Sequence, residues 1–231
     1  MLDPKGRVAM VSGASRGIGR AVVERLLASG FTVSAGLRDP RSLEAHDRLL
    51  PHRYDAADAE SPKAWVAATL SRFGRIDALV NAAGINPRAR IADEDETALD
   101  SLWAVNVKGP LRLIRAALPP LRAGGEGRVV NIASLSGKRV ANENVGYAMS
   151  KFALIALTQA VRREGWEHGI RATALCPGFV ATDMTMHVTG VPREAMTSAA
   201  DIAVLAETAM LLPNNATVGE ILVNWRLEPM L

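Results

Sequence analysis

The stretch VSGASRGIGRA, residues 11–21, decides how the whole chain is read. It follows a short apolar run, RVAMVS at 7–12, and opens a segment with helical periodicity. Gly13, Gly17 and Gly19 set a G-x-x-x-G-x-G spacing. Glycine reaches left-handed backbone angles and leaves no side chain between backbone and ligand. A helix that starts at such a loop aims unpaired N–H groups and the positive end of its dipole at it, which favours phosphate. A tight strand-to-helix connection would use glycines too. Their density directly after a first strand points to nucleotide binding, although the spacing differs from the G-x-G-x-x-G of the standard dinucleotide fingerprint.

Working outward, the pattern repeats. FTVSAG (31–36), HRYD (52–55), IDALVN (76–81), RVVNIAS (128–134), RATALC (171–176) and EILVN (220–224) read as further strands. Most are continuous apolar runs without period-two alternation, as strands covered on both faces require. Helical patterns fall near 17–29, 61–73, 97–118, 146–167 and 199–212. Between the second and third strands the helical signal is weakest. Such alternation implies right-handed crossovers and an α/β fold: a doubly wound, mainly parallel sheet of about seven strands flanked by helices. No repeat, low-complexity stretch or linker divides the chain, so residues 1–231 read as one domain.

Composition narrows the classes. With 48% hydrophobic and 22% charged residues the chain is ordinary for a globular protein. The formal charge of +3 comes from scattered arginines without interleaved aromatics, which argues against nucleic-acid binding and leaves room for a local anionic ligand. Cys176 is the only cysteine, so no intramolecular disulfide can form. The start MLDPKGRVAM has no apolar signal core, and no run approaches the ~18 apolar residues of a membrane span, so a cytoplasmic location is expected.

The glycine loop resembles that of the short-chain dehydrogenase/reductase family, and further segments follow in that family's order: NAAG (81–84), VNVKG (105–109), NIASLSG (131–137), YAMSK (147–151) and CPGFVAT (176–182). The resemblance covers nearly the whole chain and implies a Rossmann-like oxidoreductase domain. It implies a carbonyl or alcohol substrate, a nicotinamide cofactor and a homodimer or homotetramer. Asn106, Ser134, Tyr147 and Lys151 match the catalytic positions. Gly13, Ser15, Arg16, Gly17, Ile18, Gly19, Arg38, Asp55, Asn81, Ala82, Gly84, Pro177, Gly178, Val180 and Thr182, with Tyr147 and Lys151, match cofactor-binding positions. Ala82 stands where many relatives carry a second Asn.

The chemistry of the tetrad can be argued from its residues. Tyr147 and Lys151 share a helix face at four-residue spacing. A phenol with a pKa near 10 is a poor base at neutral pH unless its anion is stabilised. An ammonium roughly 5 Å away, at an effective dielectric of ~20, stabilises that anion by about 3 kcal/mol, or roughly two pK units. Ser134 ends a strand at the sheet edge where ligands bind; Ser136 is a rival that fits the family spacing less well. By resemblance, Tyr147 exchanges a proton with the substrate oxygen and Lys151 also binds the nicotinamide ribose. Ser134 then holds the substrate oxygen, and Asn106 supports a water relay toward Lys151.

For the cofactor, an acidic residue at the end of the second strand would bind the adenosine ribose diol. Here Leu37 occupies that position and Arg38 follows it, with Arg16 in the glycine loop. Two guanidinium groups suit a 2′-phosphate, so NADP(H) is favoured over NAD(H). Asp39 before Pro40 is expected to cap a turn, and Asp55 could equally be an N-cap. Asp93 and Glu96 are read as a helix capping box rather than a metal site, and the four histidines show no metal-ligand spacing. Cys176 is expected to be a small buried hydrophobe. The stretch 183–197 falls where the family places its substrate loop, and it is short; Met184, Met186 and His187 are candidates to line or cover the pocket, and loops near 85–92 and 135–144 are expected to supply its other residues. A short loop predicts a fairly open site or one completed by another subunit. Two other classes compete with the enzyme: a cofactor-binding sensor without turnover, for which the full tetrad is superfluous, and a nucleic-acid binder, which would need a clustered basic face.

Overall fold

The computed structural model describes residues 1–228. Seven strands, β1 (Val8–Ser12), β2 (Thr32–Leu37), β3 (Leu49–Arg53), β4 (Ala78–Asn81), β5 (Arg128–Ile132), β6 (Arg171–Pro177) and β7 (Glu220–Val223), form one sheet. Their order is β3-β2-β1-β4-β5-β6-β7, and every pairing is parallel. The order reverses between β1 and β4, so the connections leaving their C-terminal ends diverge and open a crevice there. Ser12 and Asn81 are paired in register at that point.

The apolar runs are continuous because both faces are covered. Ala9 and Val11 of β1 pack with Val22, Val23 and Leu26 of α1 (Gly17–Ser29) and Ile202 and Met210 of α6 (Ala199–Leu211). Met10 between them faces the other way, among Trp65 of α2 (Ser61–Phe73), Leu113 of α4 (Gly109–Ala123) and Val161 of α5 (Val145–Gly165). α1 and α2 end on Gly30 and Gly74 in left-handed conformation, each returning its N–H to the last turn, so the expected spans 17–29 and 61–73 match.

Three expectations change. β3 lies at 49–53 rather than 52–55: it contains Pro51, which an edge strand tolerates because one side of it pairs with nothing. The helix read as 97–118 is α3 (Thr97–Leu102), then a π-helical turn at Trp103–Lys108, then α4. No capping box forms at its start. Asp93 bonds the Arg90 backbone and side chain instead, and Asp95 accepts from the Thr97 N–H and hydroxyl. The guanidinium of Arg90 takes the Asp93 carboxylate that the box would have used. Asp39 does cap a short turn at Pro40–Ser42, and nothing longer links β2 to β3. Cys176 is fully buried, as expected. Among the described residues no helix is long and apolar enough to cross a membrane.

Gly36 on β2 lies against Trp65, where an added Cβ would meet the ring at 2.5–2.8 Å. Gly36→Ala should therefore lower unfolding stability by about 1–3 kcal/mol through overpacking, read as a reduced urea midpoint with an unchanged slope.

Candidate active site

A cleft of about 600 Å³ runs along the C-terminal edge of the sheet over this crevice. The glycine loop forms one wall. Gly13 has φ 69°, and a Cβ there would sit 2.7–2.8 Å from the backbone of Ala82 and Ala83. Only glycine lets the β1–α1 loop close on the β4 end. Gly17 is also left-handed, at φ 55°, beside the Thr182 methyl. α1 starts with no side-chain cap and no acidic residue in its first turn, so its N-terminal donors and dipole face the cleft uncompensated. That cradle fits a dinucleotide's phosphates.

Behind the loop, buried polar groups are satisfied pair by pair. The Ser12 hydroxyl accepts from the N–H groups of Ala82 and Ala83 at 3.1 and 3.2 Å. Asn81 donates to Asn131 at 2.8 Å, and Asn131 donates to Thr158 on α5 at the same distance. Asn81 thus braces β4 against β5 and does not line the cleft. Asn106 sits behind the wall as well. Its amide accepts from the Ile85 N–H at 2.9 Å and donates to the Ile85 carbonyl and the Ser150 hydroxyl. The π turn, with its wider helical step, is the local structure that carries it there.

Ser134, Tyr147 and Lys151 all line the cleft. Ser134 leaves β5, accepts from the Ser136 N–H at 3.0 Å and lies 3.5 Å from the Pro177 carbonyl. Lys151 is buried and donates to the Ile132 carbonyl at 2.9 Å, leaving two of its three N–H bonds uncommitted. Its Nζ stands 5.6 Å from the centre of the Tyr147 ring. Burial pushes the Lys151 pKa down to about 8. Burial also pushes the Tyr147 phenol up to about 12, opposed in part by a hydrogen bond with Ser134. The expected lowering of the phenol by Lys151 is therefore outweighed here: desolvation disfavours both charges.

The other expected cofactor positions that reach the cleft are Ser15, Arg16, Ile18, Gly19, Arg38, Asp55, Ala82, Gly84, Pro177, Gly178, Val180 and Thr182. Arg16 is not an open cation, since its Nη1 lies 3.2 Å from Asp183 across the cleft mouth. Asp55 both lines the cleft and caps a turn, accepting from the Ala57 N–H. Of the loop candidates, Met184 and His187 line the cleft, whereas Met186 is 70% exposed and does not. Trp225, Arg226 and Glu228 return from beyond β7 to wall the site as well. Sequence reading missed these three along with Phe179; Arg139 and an asparagine bridge lie on the expected pocket loops near 85–92 and 135–144 but were not singled out. In that bridge Asn144, just before α5, donates to Asn86 and the Pro87 carbonyl and accepts from the Ala89 N–H. The cluster of Asn142 and Asn144 ahead of the tyrosine helix is the signal that was available.

A parallel sheet with a glycine cradle at its reversal point and a Ser–Tyr–Lys wall defines a class of dinucleotide-binding α/β proteins. The model of the short chain dehydrogenase family matches residues 7–191, and the chain belongs to that family, whose members bind NAD(P). It is 42% identical over 217 residues to an agropine synthesis reductase of Rhizobium rhizogenes, covering 91% of this chain but 50% of the relative, so the chain spans half that protein's length. It is 32% identical to an uncharacterised oxidoreductase of Staphylococcus saprophyticus, over 96% of this chain and 99% of that one. The crystal structure of an alcohol dehydrogenase from Thermococcus sibiricus, complexed with 5-hydroxy-NADP, superposes with a TM-score of 0.85 at 29% identity. It covers 94% of this chain and 95% of that one.

Burying a protonated Lys151 costs stability. Its folded pKa lies below its unfolded value, so the penalty is fully present below about pH 8 and fades as pH rises from there toward 10.5. Lys151→Met in cofactor-stripped protein should raise the unfolding free energy by about 1–3 kcal/mol at pH 7. Denaturation at several pH values should show the gap shrinking between pH 8 and 10.

Proposed function

We propose that this protein is an NADP(H)-dependent oxidoreductase that interconverts an alcohol and a carbonyl compound. The observation that carries the reading is the convergence of Ser134, Tyr147 and Lys151 on the same cleft as the glycine cradle. The nicotinamide supplies hydride exchange when bound; the chain supplies position, hydrogen bonds and a proton.

Ser134 has an acceptor lone pair committed to the Ser136 N–H, and its hydroxyl proton has only the long contact to Pro177 and the Tyr147 phenol to choose between. It is therefore poised to donate to a substrate carbonyl oxygen. Tyr147, with a phenol that holds its proton firmly, is the acid in the reducing direction. Lys151 offers its two uncommitted N–H bonds to ribose hydroxyls and its charge to the developing phenolate. Asn106 acts at one remove. Its amide fixes the backbone of Ile85, a wall residue, and ties it to Ser150 in the first turns of α5, a positioning role beside the water relay that the resemblance implies. The cofactor preference rests on Leu37 and Arg38 at the end of β2. No carboxylate is present there to bind a ribose diol, and Arg38 lines the cleft as an exposed cation. Arg16 would share itself between a 2′-phosphate and Asp183.

Tyr147→Phe should lower turnover by at least about a thousandfold while fluorescence titration shows reduced-cofactor affinity within about threefold of the parent. Unchanged turnover would remove Tyr147 from the chemistry. In the parent, carbonyl reduction should decline as pH rises through about 8, where Lys151 gives up its proton. A rate still flat at pH 10 contradicts the role given to Lys151. Arg38→Ala should weaken NADPH binding about tenfold to a hundredfold and leave NADH binding nearly constant. Equal losses for both would show that Arg38 does not read the 2′-phosphate.

A further inference from the structure

Beyond Ser134 and Tyr147 the cleft has a second wall, built where the chain after β7 turns back over the site. The Gly178 N–H donates to the Val223 carbonyl at 2.9 Å, and Trp225 packs on Phe179 with ring centres 5.9 Å apart. A Cβ on Gly178 would meet the Trp225 ring at 2.8 Å, so the returning segment lies directly on the end of β6. Glu228 pins it. Both carboxylate oxygens face Arg139, Oε2 at 2.9 Å from Nε and Oε1 at 2.8 Å from Nη2, with side chains only 8% and 12% exposed. That is the two-point fork by which a guanidinium holds a carboxylate.

The charges at this end do not cancel. Lys138, next to Arg139, is neutralised by Glu220 at 2.7 Å, and Asp183 faces Arg16. Glu228 is spent on Arg139. Arg226 remains: it lines the cleft with its guanidinium over the Trp225 ring, 4.8 Å from the centre. Among the described residues no carboxylate lies within ion-pair distance of it. Its field still reaches the site, since Arg139 first and Arg226 after it hold the Glu228 carboxyl below the usual range. Asn86 and Asn142 add to the imbalance. Each accepts from Asn144 through its side-chain oxygen, and each keeps an NH2 group without a partner among the described residues. The wall is therefore rich in donors and short of acceptors.

We infer that this end of the cleft selects substrates carrying a carboxylate, with Arg226 as the specificity-determining cation and the Arg139–Glu228 pair as the frame that holds it over the site. The inference rests on the alcohol–carbonyl reading of the cleft and names its substrate class: an oxo acid or hydroxy acid. A guanidinium stacked on an indole keeps its edge N–H groups for an in-plane partner. A carboxylate supplies two acceptor oxygens where a neutral ketone leaves those donors unmatched.

The test titrates acetoacetate and levulinate, each against its methyl ester, into the protein–NADPH complex by calorimetry and follows nicotinamide absorbance in parallel. The parent should favour acid over ester by at least about tenfold, less so at high salt. Arg226→Ala should cut that ratio about tenfold. A parent that does not distinguish acid from ester overturns the inference, as does a ratio that survives Arg226→Ala. If NADPH binds and no carbonyl compound is turned over, the oxidoreductase reading fails on its own, and the binding ratio still decides the subsite.

Discussion

The approach of Gly13 to the backbone of Ala82 and Ala83 is the constraint on which the site depends. β1 and β4 are neighbours at the reversal of strand order, so whatever joins their C-terminal ends sets the width of the crevice. The contact leaves no room for a Cβ. It turns the glycine loop over the sheet edge and brings the uncapped N-terminus of α1 to the cleft. Ser12 secures the same junction from below by accepting both amides of the β4 exit. A larger side chain at position 13 would move the loop and the helix end together.

From this junction a polar ladder runs outward through Asn81, Asn131 and Thr158 to α5, the helix that carries Tyr147 and Lys151. Each member has its partner, so the ladder costs little to bury and has a single good register. It links the element that suits phosphate to the element that carries the proton chemistry. Precision is obtained with buried side-chain hydrogen bonds between the sheet and α5 rather than with the loops. Lys151 is the exception. Its ammonium has one protein acceptor at 2.9 Å and is otherwise desolvated, a local instability expected where binding to a ligand is to be the compensation.

Much of this was legible because the information is local. The helix limits at 17–29 and 61–73 follow from amphipathic spacing closed by Gly30 and Gly74, and the strands announce themselves as uninterrupted apolar runs. The tetrad and glycine positions could be placed for the same reason: each lies at the end of a strand or on the helix after one. Local cues also misled. The third strand is expected at 52–55, after Pro51, whereas its edge position tolerates that proline inside it, and no residue pattern signals the π turn that carries Asn106. For Lys151 and Tyr147, spacing alone gives the attraction between the two charges and leaves out the cost of desolvating each, which the structure makes the larger effect.

The substrate wall was illegible for a different reason. Arg139 and Glu228 are 89 residues apart, and nothing in the sequence near either one calls for the other. The pairing exists only because β7 adds next to β6 and sends the following segment back across the end of its neighbour. A charge reading by composition gives a mild surplus of arginine and stops there. A reading by position separates arginines already matched, such as Arg16 with Asp183, from one that is not. In a family whose cofactor end is built from short motifs, the substrate end is assembled from long-range returns of the chain. Its chemistry therefore has to be counted in three dimensions, partner by partner, and that count singles out Arg226.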